Sequence, residues 1–199
     1  MSDQVMEKPA NAETGIVSPN RLAHLVLRTS RIKEMVEWYM FVLNGQIAFA
    51  NEEIAFISYD EEHHRVAFVN IPGLAEQPAG MVGLHHVAFT YNNLGELLGN
   101  YERLRDAGIK PKWCVNHGPT TSMYYGDPDD NQLEFQVDNY STVEEATEFF
   151  YTDAFATNTI GVDYDPEVLI RRLRAGEDES AILLRPASGA RGVETIPIR

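Results

Sequence analysis

The stretch Gly83-Leu84-His85-His86-Val87-Ala88-Phe89 decides how the chain is read. It is a short β-prone run that carries two adjacent histidines. A matching run occurs earlier, Arg21-Leu22-Ala23-His24-Leu25-Val26-Leu27, and aligning the two sets His24 on His86. Apolar residues at helical spacing follow each run: Met35, Trp38, Tyr39, Val42 and Leu43 in the first, Leu94, Leu97, Leu98, Tyr101 and Leu104 in the second. The first helix is expected to start at an N-cap, Ser30, and both have clear stops, at Asn44-Gly45 and Ala107-Gly108. From histidine to stop, the two segments differ by one residue in length. β-prone runs follow in both halves: Gln46 to Ala50, Ile54 to Tyr59 and His64 to Asn70, then Trp113 to Val115, Ser122 to Tyr125 and Gln132 to Val137. Each half therefore reads β-α-β-β-β.

The expected fold is α+β: two βαβββ modules, residues 20–70 and 82–137, forming a curved, mostly antiparallel sheet. Residues 1–19 are polar and aperiodic and read as a mobile arm. Residues 71–81, rich in Pro and Gly, read as a linker between the modules. Residues 138–199 depart from the repeat and read as a helical C-terminal extension. One helix is expected over Thr142 to Tyr151. A second starts with Asp165 as N-cap and Pro166 at its first position. Phe149, Phe150, Leu169 and Leu173 are expected to pack on the core or on a second subunit.

The formal net charge is −14, which argues against nucleic acid and against an anionic membrane surface. A single cysteine, Cys114, excludes an internal disulfide and suits a reducing compartment. No run approaches transmembrane length and the first residues have no apolar signal core, so a cytoplasmic location is expected.

Six histidines lie between residues 24 and 117. Singly, each reads as a surface or satisfied core histidine. Together they form a pattern: two His-His pairs, and a fifth histidine that matches one of them across the repeat. Neighbouring strand side chains face opposite ways, so one of His85 and His86 can reach a shared site. The repeat selects His86 and turns His85 elsewhere. Glu134 lies mid-strand between Leu133 and Phe135, where a carboxylate needs a partner or a cation. His24, His86 and Glu134 make the two-imidazole, one-carboxylate set associated with non-haem Fe(II), and Mn(II) suits the same donors. Cys114 sits in an apolar run and reads as core. Arg171, Arg172 and Arg174 read as a solvated or intersubunit basic cluster.

With these residues in view, the chain resembles the vicinal oxygen chelate superfamily. Within it, the chain is similar to the one-domain type I extradiol ring-cleavage dioxygenases. The resemblance covers roughly residues 20–137. Its general part is the repeat together with Asp127-Pro128-Asp129-Asp130-Asn131-Gln132-Leu133-Glu134, where Asp130 stands in place of the usual Gly. Its specific part is His63-His64-Arg65-Val66-Ala67-Phe68 upstream of His85-His86. The resemblance implies an acid-base role for His64, and substrate-contacting roles for His117 and Tyr124. Gly118-Pro119-Thr120 stands where the family commonly has an Asp.

The activity implied is Fe(II)-dependent cleavage of a catechol-type diol by O2, beside the two hydroxyls, in aromatic-compound breakdown. The expected partners are that diol, O2 and further copies of the chain. One alternative is a glyoxalase or thiol-transferase type enzyme, which would place a fourth, carboxylate ligand on the strand from His64 to Asn70. Another is a metal-free binding module such as a bleomycin-sequestering protein, which would not need the three ligands together.

Overall fold

The structure, a computed structural model, describes residues 18–76, 78 and 80–197. The arm expected over residues 1–19 lies outside the described residues except for its last two. The chain forms two compact units, one ending at Pro72 and the other beginning at Gly73.

The first unit is one βαβββ module: β1 (Leu25–Thr29), α1 (Ile32–Val42), β2 (Gln46–Ala50), β3 (Ile54–Ser58) and β4 (Val66–Asn70). Its sheet has the order β1-β4-β3-β2, with β1 parallel to β4 and the other pairs antiparallel. The helix forms because Met35, Tyr39 and Val42 recur at helical spacing, and all three are buried. They belong to a core that also holds Ala55, Ile57, Val66 and Phe68. Ser30 is not the cap. Arg31 occupies the N-cap position without a side-chain capping bond, and its N–H donates to Thr29 Oγ1 at 3.0 Å. That hydroxyl, buried at the end of β1, closes a turn just before the helix, and no side chain caps the helix N-terminus. The stop is as read, since Asn44 takes a left-handed φ of 50°.

The second unit repeats the module: β5 (Val87–Thr90), α2 (Leu94–Asp106), β6 (Trp113–Asn116), β7 (Thr120–Gly126) and β8 (Gln132–Asp138). α2 buries Leu94, Leu97, Leu98, Tyr101 and Leu104, in a core with Met123, Tyr125, Leu133 and Phe135. β5 runs parallel to β8, as β1 does to β4. In the β7–β8 turn, Asp127 Oδ1 accepts from the N–H groups of Asp129 and Asn131 at 2.9 and 2.8 Å. Asp130 takes φ 65°, the conformation that favours the family's usual Gly.

The extension folds onto this second module. Its elements are α3 (Val143–Phe149), α4 (Asp153–Thr157), β9 (Val162–Asp163), α5 (Pro166–Arg174) and α6 (Glu179–Leu183), followed by a 3-10 turn over Val193–Thr195. β9 adds an antiparallel strand beside β6, giving the order β5-β8-β7-β6-β9. α5 is capped by Asp165 as expected, and its Glu167 meets Arg105 Nη1 of α2 at 2.6 Å. Arg174 pairs with Glu102 and Arg172 with Glu177, so two of the three clustered arginines are engaged within the chain. Leu169 is buried, Phe149 and Leu173 are half-buried, and Phe150 stays exposed. Deleting residues 139–199 would uncover the β6 edge and the apolar surface under α5 and α6. The truncated protein is expected to elute in the void volume on gel filtration. A soluble, active truncation would contradict the packing role.

Candidate active site

In the first unit α1 covers one face of the sheet, and the histidines lie with the other. Register places Val26, Ala67, Phe56 and Phe49 in one row across the four strands. His24 lies two residues before Val26. Its ring is 4.3 Å from that of His64, and His64 stacks on Phe56 at 4.7 Å with an interplanar angle of 20°. Arg65 fixes the approach to His24: Nη1 donates to the carbonyls of Leu22 and Ala23, both at 2.9 Å, while Asp60 Oδ2 holds Nε at 2.9 Å. Burial, then the neighbouring His24 and His63, push His64 below the ordinary imidazole value. It is therefore neutral at pH 7 and free to accept a proton.

The second unit has the matching row: Ala88, Glu134, Tyr124 and Trp113. His86 lies two residues before Ala88, as His24 does before Val26. His86 Nε2 is 2.9 Å from Glu134 Oε2. Glu134 is only 4% exposed. Burial raises its pKa, but the hydrogen bonds it accepts, led by those of His86 and Ser122, outweigh that and hold the carboxyl below its usual range. It is an anion held in the interior.

Tyr124 continues the chain of contacts. Its ring meets His86 edge-on at 5.2 Å and stacks on Trp113 at 5.0 Å. Its hydroxyl is 2.9 Å from His117 Nε2, and the Glu134 carboxylate lies beside it; its single proton serves one of these acceptors at a time. Burial, followed by the Glu134 charge, raises the Tyr124 pKa far above the phenol value, so the hydroxyl keeps its proton. His117 Nδ1 faces the Ile160 carbonyl, and burial pushes this imidazole below its ordinary value. Burial also raises the Cys114 thiol to about 12, which leaves it protonated and a poor nucleophile.

The structure thus joins His86, Glu134, Tyr124 and His117 in one unit, and His24 with His64 in the other. Within either unit, no group of three His, Cys, Asp or Glu side chains is gathered among the described residues. The donor atoms present suit a divalent ion: for bonds of about 2.1 Å, the cis edge of an octahedron is about 3 Å.

The His-His pairs correct the sequence expectation. Strand alternation was expected to turn His85 away from the face of His86. In the structure β4 starts at Val66 and β5 at Val87, so both pairs precede their strands and the alternation does not reach them. His63 Nδ1 lies 2.5 Å from His64 Nδ1, and His85 Nδ1 lies 2.7 Å from His86 Nδ1. A His86 whose Nε2 ligated a metal would carry its proton on Nδ1, from which it could donate to His85. Partners of a metal-binding imidazole typically contribute ~10–100-fold to metal affinity. If His86 ligates a divalent ion, His85→Ala is therefore expected to raise the Kd for that ion by about that factor, with the site still filling at high metal. An unchanged Kd, read by competition with a chelator, would make His85 a bystander. Ser122 and Trp113 were not singled out from sequence, although period-two alternation puts Ser122 on the face of Tyr124.

This fold and this face define the class, and the comparisons agree: the chain belongs to the Glyoxalase/Bleomycin resistance protein/Dioxygenase superfamily, whose profile matches residues 21–135. Among characterised relatives it is similar to biphenyl-2,3-diol 1,2-dioxygenase 3 of Rhodococcus globerulus, 44% identical over 167 residues that cover 83% of this chain and 88% of the relative. It is equally similar to biphenyl-2,3-diol 1,2-dioxygenase 2 of the same organism, 44% identical over 78% of this chain and 83% of that one. The crystal structure of a glyoxalase/bleomycin resistance protein/dioxygenase from Nocardioides shares the fold. It has a TM-score of 0.50 and 22% identity, covering 62% of this chain and 86% of that protein. Among the described residues no helix is long and apolar enough to cross a membrane.

Proposed function

We propose that the protein is an extradiol dioxygenase that opens a catechol-type ring, with biphenyl-2,3-diol as the first candidate substrate. His24, His86 and Glu134 hold Fe(II), or Mn(II) on the same donors. Residues 20–137 carry the chemistry, and residues 138–199 brace it. The observation that carries this reading is the pairing of His86 Nε2 and Glu134 Oε2 at 2.9 Å, on the sheet face that also presents Tyr124. The two Rhodococcus relatives, named for this reaction, support it.

When bound, Fe(II) supplies Lewis acidity toward the diol oxygens and a route for electrons to O2. The protein's own groups do the rest. Neutral His64 takes a proton from a diol hydroxyl and returns it to a reduced oxygen. Tyr124, kept protonated, donates a hydrogen bond to substrate oxygen. His117 holds Tyr124 in place, and Trp113, stacked on Tyr124, offers an apolar wall to the aromatic ring.

A four-ligand enzyme of glyoxalase type is disfavoured by one residue. Register makes Ala67 the first-unit counterpart of Glu134, since Val26 pairs with Ala67 as Ala88 pairs with Glu134. Alanine offers no donor, so a metal held by the three proposed ligands would have room for diol and O2. The test is anaerobic loading with Fe(II), then a panel of catechols in air, with O2 uptake and the yellow ring-opened product as readouts. Iron binding without uptake for any catechol would remove this proposal in favour of another superfamily reaction.

A further inference from the structure

The loop from His117 to Thr120 supplies no side-chain acceptor for the His117 ring. The acceptor comes instead from the extension, as the Ile160 carbonyl facing Nδ1. A carbonyl only accepts, so Nδ1 carries the proton and the neutral ring turns a bare Nε2 to the Tyr124 hydroxyl.

The turn that presents this carbonyl is held by one side chain. Asn158 is 2% exposed. Its Oδ1 accepts from the N–H groups of Ile160 and Gly161 at 3.0 and 2.8 Å. Its Nδ2 donates to Gly161 O at 3.0 Å and Ser188 Oγ at 2.8 Å. All four hydrogen bonds an amide of this kind can make are therefore formed.

Two further contacts lock the turn to the His117 loop. Arg185 donates to the carbonyls of both His117 and Asn158, at 2.9 and 2.7 Å. Gly161, at φ 126°, lies so close to Asn116 O that a Cβ would overlap it. Gly118, at φ 109°, likewise leaves room for the Phe149 ring where a Cβ would collide. The extension and the loop fit each other at both glycines.

We infer that Asn158 is a positioning residue of the ring-opening site: by holding the 158–161 turn, it aims the Ile160 carbonyl at His117 Nδ1 and so fixes the tautomer that His117 presents to Tyr124. The inference rests on the proposed function for its consequence in turnover. The tautomer itself does not.

The experiment uses the full chain labelled with ¹⁵N-histidine. Before iron is added, long-range ¹H–¹⁵N spectra report which nitrogen of each imidazole is protonated. After loading, kcat, KM and iron content are measured with biphenyl-2,3-diol. Wild type should show His117 as the Nδ1–H form, its signal assigned by loss in His117→Gln. Asn158→Ala should shift that signal toward Nε2–H and lower kcat by about 10- to 100-fold. KM and iron content should stay near wild type. Asn158→Asp, which keeps both accepted hydrogen bonds, should keep the Nδ1–H signal. If the alanine variant fails to fold, Asn158→Ser is read by the same criteria. A wild-type Nε2–H signal, or a variant lacking the amide that retains both Nδ1–H and the wild-type rate, would overturn the inference. Inactive wild type with the expected tautomer shift would instead count against the proposed reaction alone.

Discussion

Glu134→Ala is expected to carry no iron after loading and desalting, and to show no measurable turnover. Glu134 supplies the only negative charge among the three proposed ligands, and two neutral imidazoles do not offset a divalent cation. The carboxylate is also the common acceptor for His86 and Ser122. Alanine leaves these groups without it, at about 1–3 kcal/mol for each one buried and unpaired. Glu134→Gln separates the two effects, because it keeps the shape and an acceptor oxygen but loses the charge. It should fold as the wild type does and still lack iron. Iron at one per chain in Glu134→Gln would remove this residue from the ligand set.

The second large effect is expected at His64. His64→Phe keeps a planar ring to stack on Phe56 and removes the proton acceptor. General acid-base groups typically contribute ~10²–10⁴-fold to rate. Turnover should fall by about that factor with iron content unchanged. Because the folded-state pKa lies below the ordinary imidazole value, the neutral form persists to lower pH than in a free histidine. The acid limb of kcat/KM should therefore fall below pH ~6.5 and be altered in His64→Phe. His63 shares a short hydrogen bond with His64, so His63→Gln should lower the rate measurably and by less. Wild-type turnover in His64→Phe would end the acid-base assignment, and loss of iron would make His64 a ligand.

The modules were legible because their signals are periodic. Apolar residues at helical spacing placed α1 and α2 on the buried sides of their sheets. Alternation along β7 and β8 put Tyr124 and Glu134 on one face. For the histidine pairs strand alternation does not apply, because the period-two rule holds within a strand and these residues precede theirs; the repeat is what matches His86 to His24. Ser30 does not cap α1 because the helix starts one residue later, after a turn that Thr29 closes where β1 ends. β9 spans two residues, too few for periodicity to register. The hold of Asn158 on the His117 loop depends on contacts between distant parts of the chain, which no local pattern encodes.

The most direct measurement of the account is mass spectrometry of the product formed from biphenyl-2,3-diol under ¹⁸O2 by the Fe(II)-loaded protein. The account predicts a ring opened beside the two hydroxyls, carrying two ¹⁸O atoms from one O2. A product opened between the hydroxyls, or one with a single ¹⁸O beside intact ring carbons, would contradict it.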